Sequence, residues 1–168
     1  MPSVRPHYPY PGRRKALTEA QVAQLLSELQ QSAPYEVRLI AWTQYAVAGR
    51  ITEVLHLRPV DLQATGIYVR RLKGSESGPI DLSAVPELMA ALRRHEAARD
   101  GTRSVYLFAG RAVCPVKECK GRHVSADSVF RYVQAAGRKL GFPLGLCKTH
   151  VLRHSAISHA AAQSCDAP

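Results

Sequence analysis

Long apolar runs are missing from this sequence. No stretch of the 168 residues approaches the roughly 20 apolar residues that a membrane-spanning helix needs. The opening MPSVRPHYPYPGRRK also has no apolar core of the kind a secretion signal carries. A soluble, cytoplasmic protein is the expectation. Acidic residues are short too: 13 Asp and Glu stand against 23 Lys and Arg, which leaves a formal charge of +10. A cationic surplus on a small chain releases counterions when it meets phosphate, so nucleic acid leads as the partner, with an acidic protein or an anionic membrane second. Cysteine is limited to Cys114, Cys119, Cys147 and Cys165. Without an export signal a disulfide framework is not expected, and the thiols are read as reduced. Internal repeats and low-complexity tracts are absent as well.

With 46% hydrophobic and 21% charged residues, the length suits one well-filled domain. Residues 1–15 combine Pro2, Pro6, Pro9, Pro11 and Gly12 with Arg5, Arg13, Arg14 and Lys15, a composition that resists packing and reads as a basic arm or linker. From residue 16 onward the periodicity turns helical. Thr18 with Gln21 makes a capping box, and Val22, Leu25, Leu26 and Leu29 predict a first helix to about Gln31. A second helix is predicted from Pro34 through Trp42 and Tyr45 to Gly49, where glycine suits a helix end. Arg50 then opens a short third helix carrying Ile51, Val54 and Leu55, which puts Arg50 and Glu53 on one face.

Pro59 and Asp61 break that helix. Ile67–Val69 and Ile80–Leu82 read as two strands of a hairpin, with Lys73 at its bend. Val85, Leu88, Met89 and Leu92 mark another helix. Val105 to Phe108 read as a buried extended run, and Val129, Val133, Ala136 and Leu140 as a helix after Ser125. The fold class expected is α+β, mainly helical, with a small antiparallel sheet.

Singly, the chemistry-bearing residues say little. Arg50 and Glu53 read as an i,i+3 ion pair on a wet surface, and Lys73 as a polar hairpin tip. His150 and Arg153 read as a cap and a surface charge. Together and in order they resemble the phage-integrase family of tyrosine recombinases. "AVAGRITEVLHLRPVDL" is similar to that family's first-arginine box, "VRRLKGSESGPIDL" to the hairpin that carries its lysine, and "THVLRHSAISHAAA" to its His-x-x-Arg-His box. The resemblance covers about residues 16–166 and implies a tyrosine recombinase catalytic domain over 16–168.

That resemblance implies DNA strand cleavage and rejoining through a phosphotyrosyl intermediate. The transition state gathers charge on the non-bridging phosphate oxygens, and guanidinium forks answer it with parallel donors that keep their charge. By resemblance these are Arg50 and Arg153. Lys73 is implied as the acid that protonates the departing 5′ oxygen, and His150 as base or hydrogen-bond partner. Glu53 and His154 are implied to hold the arginine and the helix in place. Double-stranded DNA is the implied partner, with other recombinase protomers possible and no membrane. No cofactor is expected, because the phosphotyrosyl bond conserves the energy of the cut strand.

The family's nucleophilic tyrosine follows the second arginine by a few tens of residues. All seven tyrosines here, Tyr8, Tyr10, Tyr35, Tyr45, Tyr68, Tyr106 and Tyr132, precede His150. The expectation is a catalytic domain incomplete at its C-terminus and inactive alone. Its rival is a non-catalytic DNA-binding module or a competitor of a full-length recombinase. The family usually carries a separate helical core-binding domain ahead of the catalytic one; in these residues a fifteen-residue arm precedes Ala16. Finally, "CPVKECKGRH" offers Cys114, Cys119 and His123 at C-x4-C-x3-H spacing, one ligand short of a structural zinc site. No metal is expected, and the loop reads as an insertion whose Lys117, Lys120 and Arg122 face DNA backbone, as Arg13, Arg14 and Lys15 do in the arm.

Overall fold

The computed structural model describes residues 16–72, 74, 76–99, 104–110 and 123–165. The arm over 1–15 lies outside these residues, as do Lys73, Cys114, Lys117, Cys119, Lys120 and Arg122. Six α-helices and one two-stranded sheet make up the described fold, which confirms a mainly helical α+β class with a small antiparallel sheet.

Helix α1 spans Glu19–Ser32 and starts where the sequence marks it. The Thr18 amide donates to Gln21 Oε1 (3.0 Å) and the Gln21 amide to Thr18 Oγ1 (3.2 Å), the reciprocal pair of a capping box. Helix α2 (Tyr35–Ala46) lies at the centre of the domain, packed against α1, α3 (Ile51–Leu55), α4 (Pro86–Ala97), α5 (Ala126–Lys139) and α6 (Thr149–Cys165). Its Leu39, Ile40 and Ala41 are fully enclosed, and Leu25, Leu29, Leu92, Val129, Val133 and Leu152 from four neighbouring helices close round them in one core.

The end of α2 differs from the predicted one. The helix stops at Ala46, three residues before Gly49, in a Schellman arrangement: the Gly49 amide donates to the Gln44 carbonyl (3.0 Å) and the Ala48 amide to the Tyr45 carbonyl (3.1 Å). The residue in the left-handed region is Ala48, at φ 47°, and not the glycine. Gly49 is needed for space, since a Cβ there would sit 2.9 Å from Val47 Cγ2 and 3.2 Å from Val54 Cγ2. This cramped turn aims the Val47 and Ala48 carbonyls outward, and they become part of the site.

Strands β1 (Gly66–Val69) and β2 (Gly78–Asp81) pair antiparallel, with Ile67 opposite Ile80 and Val69 opposite Gly78. Each begins earlier than the apolar residues alone indicate, because Gly66 must pair closely: a Cβ on it would fall 2.1 Å from the Ile80 carbonyl oxygen. Gly66→Ala is therefore expected to cost about 1–3 kcal/mol by overpacking against immovable backbone, read as a lower midpoint in urea unfolding.

The run from Val105 to Phe108 is corrected. It forms a series of bends and no strand, with Leu107 and Phe108 fully buried but Val105 exposed and Tyr106 half-buried. The Leu107 amide reaches the Leu57 carbonyl (2.7 Å) and Ala109 bridges His123, so among the described residues the segment is pinned at points without a partner strand. Four consecutive apolar side chains mark burial but leave secondary structure open.

Helix α6, which carries His150 and Arg153, is fixed to the N-terminal segment. Ser155 Oγ accepts from the Leu17 amide (2.9 Å), and the His159 imidazole links the Tyr45 hydroxyl (2.8 Å) to the Leu17 carbonyl (2.9 Å). These ties cross more than a hundred residues of sequence, and they set the height at which Arg153 meets the end of α2.

Candidate active site

One carboxylate organises the site. Glu53, on α3, is fully buried, and its four acceptor positions are filled by donors from two segments, the start of α3 and the hairpin. Oε2 accepts from the Arg50 amide (2.9 Å) and Arg71 Nη1 (3.0 Å); Oε1 accepts from Arg50 Nη1 (2.8 Å) and the Leu72 amide (3.1 Å). A bare buried carboxylate is costly, so its neighbourhood must be cationic and donor-rich. Burial pushes the Glu53 carboxyl up, yet the Arg50 amide and guanidinium, the Leu72 amide and Arg71 together hold it down to about 2. The reading of Arg50 and Glu53 as a wet-surface pair thus fails: the arginine is half-buried and the glutamate is inside.

Arg50 has a second anchor, donating from Nη1 to the Leu72 carbonyl (3.0 Å). Leu72 precedes the expected hairpin lysine in sequence, so the strand that leads to Lys73 is tied at both its amide and its carbonyl to the Arg50–Glu53 pair. Arg153 arrives from α6 and donates from Nη1 to the carbonyl of Ala48, the left-handed residue of the α2 turn. The same Nη1 is 3.8 Å from Glu53 Oε2, an ion pair beyond hydrogen-bond range. Arg50 and Arg153, 103 positions apart in sequence, therefore converge on one carboxylate. Burial and the Arg50 charge both lower the Arg153 pKa, the signature of cations crowded together without enough anion.

His150 stands one turn before Arg153 and is exposed at the start of α6. Partial burial, then the charges of His154, Arg153 and Arg50, lower its pKa below the usual histidine value, so the neutral imidazole prevails at pH 7. A neutral ring can accept a proton or a hydrogen bond beside the guanidinium pair. The His154 ring packs edge-on against it, with centroids 4.6 Å apart. His154 is exposed and touches the site through His150, with its contact on the ring and not on an arginine.

Sequence reading missed Arg71. Its side chain, 13% exposed, lies between the hairpin and the end of α2, donating from Nη2 to the Val47 carbonyl (2.8 Å) as well as from Nη1 to Glu53. Its own amide donates to Ser77 Oγ across the hairpin (2.9 Å). The only signal available was its position two residues before the lysine, in a segment where Arg70 and Arg71 looked alike. Arg70, just beyond the end of β1, turns instead to Asp61.

Of the described tyrosines, Tyr35 and Tyr132 are exposed while Tyr45, Tyr68 and Tyr106 are half-buried. The Tyr45 hydroxyl is held by His159, and burial, followed by the Glu19 charge, raises its pKa, which disfavours the phenolate a nucleophile would need. Tyr132 lines a separate cavity of about 370 Å³ with Pro34, Val37, Ala109, Val124 and Ser128. His123, the histidine of the cysteine loop, packs against His56 (5.0 Å) and Tyr106 (5.2 Å), so the fold brings a second imidazole to a place the sequence left unmarked. Among the described residues no three His, Cys, Asp or Glu side chains are grouped to hold a metal ion.

A sequence profile described as the phage integrase family matches residues 15–168. Solved structures share the fold at low identity. The XerH site-specific recombinase bound to difH substrate in a pre-cleavage complex superposes at a TM-score of 0.69 with 17% identity, covering 91% of this chain and 45% of that one. XerA recombinase gives 0.69 with 18% identity over 94% and 53%, and the lambda integrase catalytic core 0.65 with 17% identity over 89% and 85%. The chain thus spans about half the length of the XerH and XerA chains it matches. No curated protein matches it.

Proposed function

Given that the chain belongs to the phage integrase family, we propose that its catalytic-type site binds duplex DNA and grips one backbone phosphate with Arg50 and Arg153. The observation that carries this is the convergence of Arg50, Arg71 and Arg153 on the single buried carboxylate of Glu53. Three guanidiniums against one carboxylate leave a local surplus of two positive charges, which suits an incoming phosphodiester. Lys73 is the proposed acid for the departing 5′ oxygen and His150 the neutral partner beside the phosphate. Arg13, Arg14, Lys15, Lys117, Lys120 and Arg122 are proposed backbone contacts.

XerH is solved on DNA substrate, which supports DNA as the partner of this fold. The +10 charge supports it independently. Duplex affinity, followed by anisotropy of a labelled fragment, is expected to fall at least tenfold between about 50 and about 200 mM salt, with little dependence on sequence because phosphate contacts carry little base information. An affinity indifferent to salt would overturn the DNA reading and point to a protein partner.

The tyrosines favour a second reading beside the first. No tyrosine follows Arg153 within these 168 residues, and the Tyr45 hydroxyl is engaged by His159. These residues alone are accordingly proposed to bind DNA without cutting it, as a binding module or competitor, with strand cleavage requiring a tyrosine from elsewhere. Association with other recombinase protomers is part of the same proposal. Among the described residues no helix is long and apolar enough to cross a membrane.

A further inference from the structure

Arg153 faces a competitor for its role. A guanidinium placed next to a buried carboxylate is drawn into a close ion pair, and an arginine so engaged has fewer donors for a substrate. Yet Arg153 Nη1 stays 3.8 Å from Glu53 Oε2, while Arg71 Nη1 occupies that same oxygen at 3.0 Å. The other position on Oε2 is taken by the Arg50 amide at 2.9 Å, and Oε1 is filled by Arg50 Nη1 and the Leu72 amide. With every acceptor position spoken for, Arg153 settles on the Ala48 carbonyl instead. Among the described residues it hydrogen-bonds through Nη1 alone.

We propose that Arg71 is a positioning residue: by saturating Glu53 it holds Arg153 off the carboxylate and keeps the outer donors of Arg153 available for the phosphate. This rests on the reading of Arg153 as a phosphate ligand. Arg71 is built for the task. Its fork spans Glu53 Oε2 and the Val47 carbonyl, with a longer contact from Nη1 to the Ala48 carbonyl (3.4 Å), so it also steadies the strained turn on which Arg153 rests. Its backbone belongs to the hairpin, through the Ser77 hydroxyl that accepts from its amide, and so the lysine-bearing hairpin and the α6 arginine are set by one side chain. When Arg71 is removed, Oε2 regains a free position and Arg153 swings onto it.

The test measures binding of orthovanadate, a tetrahedral phosphate analogue, by ⁵¹V NMR titration of the 168-residue chain and its Arg153→Ala, Arg71→Ala, Arg71→Lys and doubly substituted Arg71→Ala/Arg153→Ala forms. Arg153→Ala is expected to weaken binding about tenfold or more, since a charge-assisted fork is lost. Arg71→Ala should weaken it severalfold, and the double variant should be no weaker than Arg153→Ala alone, because Arg71 acts through Arg153 and the two effects are not additive. Arg71→Lys can still fill Oε2 and should keep affinity within about threefold of the starting protein, a rescue that separates loss of positioning from loss of folding. Additive effects of the two alanines would make Arg71 a phosphate contact in its own right and overturn the proposal, as would a lysine variant as weak as the alanine. If Arg153→Ala leaves vanadate binding unchanged, the phosphate-site reading falls, and this inference falls with it. An effect from Arg153→Ala with none from Arg71→Ala sinks the positioning role alone.

Discussion

Glu53→Ala is expected to destabilise the domain by about 3–5 kcal/mol, the scale seen when one partner of a buried charge network is removed. Four donors, the Arg50 and Leu72 amides and the Arg50 and Arg71 guanidiniums, lose their acceptor together, and two cations are left facing each other in a half-buried setting. For a chain of this size that is a fall of roughly 10 °C in midpoint or more, measured by differential scanning calorimetry. The pH dependence has a definite sign. The folded carboxyl, at about 2, lies below its unfolded value of 4.5, so this stabilisation is complete above pH 5 and is lost as pH falls from about 4.5 towards 2. The depression corresponds to on the order of 3 kcal/mol. Acid titration of Glu53→Gln should lack this component; an acid profile identical to the parent's would show that the network does not hold the carboxylate ionised.

The second large effect concerns covalent chemistry. On a nicked duplex that traps a cleaved intermediate, the 168-residue chain is expected to give no slow-migrating adduct on a denaturing gel, because among the described residues the cluster of Arg50, Glu53, Arg71, His150 and Arg153 holds no tyrosine. Tyr45, near the C-terminal end of α2, is hydrogen-bonded to His159, and burial raises its pKa. Appending a family-like C-terminal segment that carries the tyrosine should produce the adduct. In that extended protein Arg153→Ala should reduce adduct formation by about 10²-fold or more, since a donor to the developing charge is worth most in the transition state. An adduct from the unextended chain would mean that one of its own side chains is a nucleophile.

Much of the fold was legible because its signals are local. The Thr18–Gln21 capping box, the apolar spacing of Val129, Val133 and Ala136, and the two strands around Ile67 and Ile80 joined by a polar turn are all short-range signals, and the structure forms each element. Departures arise where a neighbour distant in sequence decides. Helix α2 ends early because the left-handed turn at Ala48 is secured by Arg71 and Arg153 from elsewhere, and Val105–Phe108 is bent, with no strand beside it among the described residues.

The site divides the same way. Composition and the three ordered boxes determined by themselves the resemblance to the family, the cationic character and the choice of Arg50, Glu53, His150 and Arg153 as candidates for one site. That Glu53 is the buried hub and that the His154 ring packs against His150 were decided by the tertiary structure. So was the entry of Arg71 to the site while Arg70 pairs with Asp61. The physical reason is desolvation. A carboxylate taken out of water gathers whatever donors the packed helices and hairpin bring within 3 Å, and that gathering depends on distances between segments that no spacing along the chain records.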